Sequence, residues 1–253
     1  MLRVEGLTKK FGGLLAVNKV SFTAHKGEVL ALIGPNGAGK TTVFNLISGA
    51  LRPTAGQVYL EGKPIGGKKP YQVAKMGIAR TFQTTTVFDQ LKVLDNLLVA
   101  HKLRTSSGLV DTILRTRRWK KELEESRARA MEVLDFIGLK EKALAPVQVL
   151  TQEERKRLAI GVALATGPKV LLLDEPTAGL LQEETEGIFG LIKSLKQRGM
   201  TVCVIEHKMR MVMNLADRVV VLNYGHKIAE GTPEEVSRNE LVIQAYLGGE
   251  HVA

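Results

Sequence analysis

The run Gly34-Pro35-Asn36-Gly37-Ala38-Gly39-Lys40-Thr41 fits G-x-x-x-x-G-K-[ST], and Thr42 extends it. It follows a short apolar strand candidate, Val29 to Ile33, and opens an amphipathic helix expected over Thr41 to Ser48. That order gives the pattern its meaning. Glycines let the backbone curl until successive N–H groups point inward, and a helix N-terminus adds partial positive charge, so such a loop wraps a phosphate. Lys40 can then reach the β- and γ-phosphates of a nucleotide, while the Thr41 hydroxyl ligates Mg²⁺. The competing reading, a glycine-rich turn that binds nothing, does not account for strand, loop and helix occurring in sequence.

A second constellation closes another apolar run: Val170-Leu171-Leu172-Leu173-Asp174-Glu175. In parallel α/β folds, ligands bind beyond the carboxyl ends of the strands, where these carboxylates fall. Asp174 suits a water-mediated grip on Mg²⁺. Glu175, one residue on and facing the other way, can orient or deprotonate a water beside the γ-phosphate. Alone, the pair would read as a solvated strand end before a proline turn. The phosphate loop shifts the balance.

Both sites need a sheet to hold them. Val29 to Ile33, Val170 to Leu173, Thr201 to Ile205 and Val219 to Leu222 are continuous apolar runs with polar turns after them, which predicts strands buried on both faces in a largely parallel sheet. Leu2 to Leu7, Ala16 to Thr23 and Gln57 to Leu60 alternate in part, with glycine turns at Gly12-Gly13 and Gly62, and predict an antiparallel β-layer. From about Asp89 to Ile137, Leu, Lys, Arg and Glu dominate, which predicts an inserted set of helices broken near Thr105-Ser106-Ser107-Gly108.

Composition sets outer limits. At 253 residues, 44% hydrophobic and 25% charged, the chain reads as globular rather than disordered or fibrous. Lys and Arg exceed Asp and Glu by 36 − 26 = 10, which suggests an anionic partner without choosing one. No apolar run approaches membrane-spanning length and no signal peptide is expected. The single Cys203 excludes an internal disulfide and fits a reducing compartment.

GPNGAGKTT, Ala79-Arg80-Thr81-Phe82-Gln83, LLLDEPTAGL and Val204-Ile205-Glu206-His207 follow one another in this order. The chain thereby resembles, over its whole length, the ATP-binding subunit of ABC transporters. The resemblance implies an α/β fold: a P-loop NTPase (ABC ATPase) core with a flanking antiparallel β-layer and an inserted helical subdomain. The expected limits are 1–83 and 155–253 for the core and 84–154 for the helices. It implies ATP and Mg²⁺ as ligands, with Phe11 stacked on adenine, Val17 beside the ribose and Gln83 as a Mg²⁺ ligand. His207 is expected on the γ-phosphate and Thr151 on the nucleotide of a partner cassette. FGGLLAVNKVSF, GIARTFQ, VIEHKM and Ala245-Tyr246-Leu247-Gly248 look like the ATPases of branched-chain amino acid importers. Importers of urea, amides or aromatic acids, and the ATPase of lipopolysaccharide export, remain alternatives. The implied partners are a second ATPase subunit, identical or not, transmembrane permease subunits, and indirectly an extracytoplasmic substrate-binding protein. The expected location is the cytoplasmic face of the cell membrane.

A nucleic-acid-linked ABC ATPase is the rival from another class. Such proteins usually carry long coiled coils or two cassettes, whereas one cassette without sustained heptads is seen here, so no nucleic-acid partner is expected. A GTPase fits less well, since no guanine-reading N-K-x-D stands in the expected place.

Two segments depart from the family pattern. The signature LSGGQ reads Leu150-Thr151-Gln152-Glu153-Glu154, and the D-loop reads Ala178-Gly179-Leu180-Leu181-Gln182. Thr151-x-x-Glu154 is a capping box, so the following helix is expected to start normally. Glu153 either weakens the grip on a partner's nucleotide or points away. Arg115, Arg117, Arg118, Lys120 and Lys121 around Trp119 either face a membrane partner or form a solvated face balanced by Glu122, Glu124 and Glu125.

Overall fold

A computed structural model describes residues 1–81, 87–102, 107, 111, 114 and 116–247. The chain begins with β1 (Leu2–Phe11), β2 (Leu14–Ala24) and β3 (Val29–Ile33), then α1 (Lys40–Ile47), β4 (Ala55–Leu60), β5 (Lys63–Pro64), α2 (Pro70–Met76) and β6 (Ile78–Arg80). Helices α3 (Val93–His101), α4 (Arg117–Phe136) and α5 (Gln152–Ala165) come next, before β7 (Val170–Asp174), α6 (Gln182–Gln197), β8 (Thr201–Ile205) and α7 (Met209–Leu215). The chain closes with β9 (Arg218–Asn223), β10 (His226–Gly231), α8 (Pro233–Ser237) and α9 (Glu240–Leu247).

The larger sheet has the order β10-β9-β3-β8-β7-β6, parallel except for the β9–β10 hairpin. Its apolar strands are continuous runs because alternate residues enter two cores. Val29, Ala31 and Ile33 join Leu171, Leu173, Val202, Val204, Val219 and Val221 in one core, under α3 to α6. Leu30 and Leu32, with Leu172, Cys203, Ile205, Val220 and Leu222, enter the other, against α1 and the smaller sheet. That smaller sheet, β2-β1-β4-β5, is antiparallel throughout, as the glycine turns and partial alternation predicted.

After β6 the chain leaves the sheet and re-enters it at Val170, with α3, α4 and α5 packed on one another in between. Of the break expected at 105–108, only Ser107 lies among the described residues. The expected limit at 154/155 falls in the first turn of α5, a continuous helix that also touches β6 and β7.

Candidate active site

The strand order sets three neighbours side by side. β3, β8 and β7 run parallel and adjacent, so the segments leaving their carboxyl ends, 34–40, 206–207 and 174–175, converge at one sheet edge. Within the first, Gly39 (φ +99) caps α1, and a Cβ there would come within 2.5 Å of the Ala16 carbonyl oxygen. Only glycine fits that approach. Gly34 (φ +146) lies as tightly against the Leu222 carbonyl, and Gly225 N–H donates to Ala38 O at 3.1 Å. The β9–β10 turn and the start of β2 thus brace the loop from outside. Asn36 and Gly37 are exposed at its tip, Pro35 is half-buried, and Thr41 and Thr42 open the helix.

Lys40 is 6% exposed, and its Nζ donates to Gly34 O at 2.8 Å and Pro35 O at 2.9 Å. Burial pushes its pKa down, against the pull of Glu175 and Asp174. The ammonium is held inside the loop's curl, facing the two carboxylates.

Asp174, at the end of β7, is 1% exposed; its Oδ2 accepts from Arg80 Nη2 at 2.7 Å. Burial pushes its carboxyl above the ordinary carboxylate range, opposed chiefly by Arg80. Oδ1 is buried and has no hydrogen-bond partner among the described residues. A buried oxygen in that condition is costly unless an ordered water or cation takes it up, so the site fits a hydrated divalent ion. No cluster of three or more His, Cys, Asp or Glu side chains suited to a metal occurs among the described residues. A Mg²⁺ here would therefore draw ligands from phosphate and water as well as protein.

Glu175 has φ +48, a left-handed conformation rare outside glycine, and its N–H donates to Ile205 O at 3.0 Å. The turn aims its carboxylate across to β8, where Oε1 accepts from His207 Nε2 at 2.7 Å. Glu206, buried between them, accepts from the Thr177 hydroxyl at 2.7 Å and N–H at 3.3 Å, and from His207 N–H at 3.1 Å. It therefore staples the segment after β8 to the turn after β7. The sequence reading assigned nothing to Glu206 or Arg80. Their mark was a charge closing a buried strand, a placement charged side chains rarely occupy without a partner.

Other expected residues lie differently. Phe11 ends β1, 44% exposed, with Lys9 Nζ 5.0 Å from its ring centre. Val17, expected beside a ribose, is 0% exposed, and its Cγ2 would lie 3.5 Å from a Cβ on Gly39. It packs against the loop at Gly39. Gln83 lies outside the described residues.

Thr151 caps α5 as its spacing predicted: Glu154 N–H donates to Oγ1 at 3.2 Å and Thr151 N–H to Glu154 Oε2 at 3.0 Å. Glu153 turns back along the helix, where Arg157 Nη2 lies 2.7 Å from Oε1, against Gly187 of α6. Within the single chain its charge is thus turned onto its own helix. Trp119 is half-buried among Leu98, Leu123 and Ser126, while Arg118 and Lys121 stand 3.5 and 3.9 Å from Glu122 and Glu125. Two of the cations are thus paired along their own helix; Arg115 lies outside the described residues.

A glycine loop closing on a buried lysine, beside two strand-end carboxylates and a histidine on one parallel sheet, defines a P-loop ATPase cassette. Comparison with known proteins agrees. The family described as ABC transporter matches residues 17–178, and that of the branched-chain amino acid ATP-binding cassette transporter matches 226–252. The chain is 43% identical over 249 residues, 98% of each chain, to the high-affinity branched-chain amino acid transport ATP-binding protein LivG of Salmonella typhimurium. It is 40% identical over the same share to BraF of Pseudomonas aeruginosa. A nucleotide-free ATP-binding cassette from an ABC transporter superposes with TM-score 0.85 at 35% identity, covering 97% of this chain and 98% of that one. Another, in its ADP conformation, gives 0.86 at 34%, covering 98% of each. The chain belongs to the ATP-binding cassette family of ABC transporters, in the group of branched-chain amino acid transport ATP-binding proteins. It is a nucleotide-binding ATPase subunit.

Proposed function

We propose that this ATPase powers uptake of branched-chain amino acids through separate transmembrane permease subunits, acting at the cytoplasmic face of the membrane. The observation that supports it best is near full-length identity of 43% to a subunit of that named role. No helix among the described residues is long and apolar enough to cross a membrane, so the permease would be other chains. An apolar groove of about 260 Å³ between α2, β6 and α5, lined by Ala74, Ile78, Ala159 and Val162, runs past Arg80 to Thr81. It suits a short helix of a permease subunit. The active assembly is a dimer of cassettes, identical or paired, as in the dimeric ATP-binding cassette bound to ADP and Pi that superposes at TM-score 0.77 and 27% identity. The helices of 84–154 then serve as the part presenting Thr151 to the partner's nucleotide. An extracytoplasmic binding protein would deliver substrate, and no nucleic acid is involved.

In this reading the backbone of 34–39 cradles the phosphates and Lys40 transfers its hydrogen bonds from Gly34 O and Pro35 O to them. Phe11 offers its ring to adenine. Thr41, Asp174 through Oδ1, and Gln83 would hold Mg²⁺, which when bound neutralises charge on the β- and γ-phosphates. Glu175 orients the attacking water and takes its proton, while His207, held 2.7 Å away, contacts the γ-phosphate.

Reconstitution tests this. Vesicles carrying the permease subunits, the binding protein and this chain should take up leucine, isoleucine or valine with ATP. Uptake should vanish with Lys40→Ala. Uptake indifferent to this chain would overturn the assignment.

A further inference from the structure

Arg80 stands at the junction of the two halves of the site. Its guanidinium gives Nη2 to Asp174 Oδ2 at 2.7 Å and Nη1 to Asn45 Oδ1 at 2.7 Å, with Ser48 Oγ at 3.3 Å. Asp174 closes β7; Asn45 lies on α1, one turn beyond Thr41. The arginine and aspartate side chains are 5% and 1% exposed. One planar group therefore fixes the spacing between the helix that starts with the hydroxyl and the strand that ends with the carboxylate.

We propose that Arg80 is a positioning residue for the Mg²⁺ of the bound nucleotide, engaging Asp174 Oδ2 so that Oδ1 faces the hydrated cation while Asn45 anchors the guanidinium to α1. The proposal rests on the reading of this site as a Mg²⁺-nucleotide site.

Two observations carry it. The two carboxylate oxygens differ: Oδ2 is held by Arg80, whereas Oδ1 is buried with no hydrogen-bond partner among the described residues. Such an oxygen is costly to bury unless an ordered water or a cation takes it up. The bridge also needs a fork. Arginine presents two nitrogens in fixed planar geometry, one for each element, which the point charge of lysine cannot do. Groups that orient a metal's ligands typically change metal affinity by about 10- to 100-fold when removed.

The test reads cation dependence of binding rather than turnover. A fluorescent ATP analogue is titrated into the full chain in EDTA and across a Mg²⁺ series, for the parent, Arg80→Met, Arg80→Lys and Asn45→Ala. Expected is an EDTA affinity within about twofold of the parent, with Mg²⁺ half-saturation raised about tenfold in Arg80→Met and less in the other two. Unchanged half-saturation in Arg80→Met overturns the proposal. So does a parallel fall in EDTA affinity, which means a merely structural ion pair, or a lowered half-saturation, which means the guanidinium repels the cation. If Arg80→Met does not fold, Asn45→Ala combined with Ser48→Ala decides: it keeps the ion pair and removes both anchors, and an unshifted Mg²⁺ curve sinks the idea. A parent whose binding ignores Mg²⁺ overturns the site reading as well, which separates the two failures.

Discussion

His207 Nε2 lies 2.7 Å from Glu175 Oε1, although 32 positions separate them in the chain. Register accounts for it. β7 and β8 are parallel neighbours with Asp174 opposite Ile205, so the residues just beyond them emerge together. Glu175→Gln should retain ATP binding and slow phosphate release by about 10²- to 10⁴-fold, the usual cost of losing a general base. Steady-state hydrolysis within a few-fold of the parent would remove Glu175 from that role.

Lys40 is held by two loop carbonyls at 2.8 and 2.9 Å, so its ammonium already stands where phosphate oxygens would compete for it. Lys40→Ala should weaken ATP affinity roughly 10- to 100-fold, the equivalent of one charge-assisted hydrogen bond of about 1.5–3 kcal/mol. Equilibrium binding, not turnover, is the measurement. Equal affinity would mean the amide cradle suffices alone.

The altered signature makes a sharper prediction than its letters did. Since Glu153 pairs with Arg157 on its own helix, Glu153→Gly in a Glu175→Gln background should leave ATP-driven dimerisation within about twofold. The variant should melt a few degrees lower, because glycine in a helix costs up to about 1 kcal/mol and the pair adds a few tenths. Markedly tighter dimers by light scattering would return the acid to the partner's nucleotide. Thr151→Ala, which removes one arm of the capping box, should cost about 1 kcal/mol in chemical denaturation.

Cys203 sits in the middle of β8 in the buried sheet, and burial pushes its thiol up to about 12. Near neutral pH it should stay protonated and shielded, and react with a thiol reagent only on global unfolding. Labelling rates followed across a denaturant series should track the unfolding transition. Fast labelling of native protein would contradict the burial of this strand.

Much of this molecule was legible in one dimension because its chemistry is local. The phosphate loop, the capping box of Thr151 and the strands that feed two cores depend on residues within a turn or a strand of each other. Their spacing encodes their geometry. What lies between elements was not legible. The staple of Glu206 to Thr177, the turning of Glu153 onto Arg157, the burial of Val17 beneath Gly39 and the tie of Arg80 to Asp174 and Asn45 all depend on contacts made after folding. The β3-β8-β7 order brings segments from three distant parts of the chain to one edge. Side-chain direction and strand order are properties of packing, since many partners satisfy a charge in sequence and only the assembled sheet selects one. Residue types alone announced a nucleotide and a hydrolytic carboxylate; the tertiary structure decided which oxygen of Asp174 is held by Arg80 and which is left without a hydrogen-bond partner among the described residues.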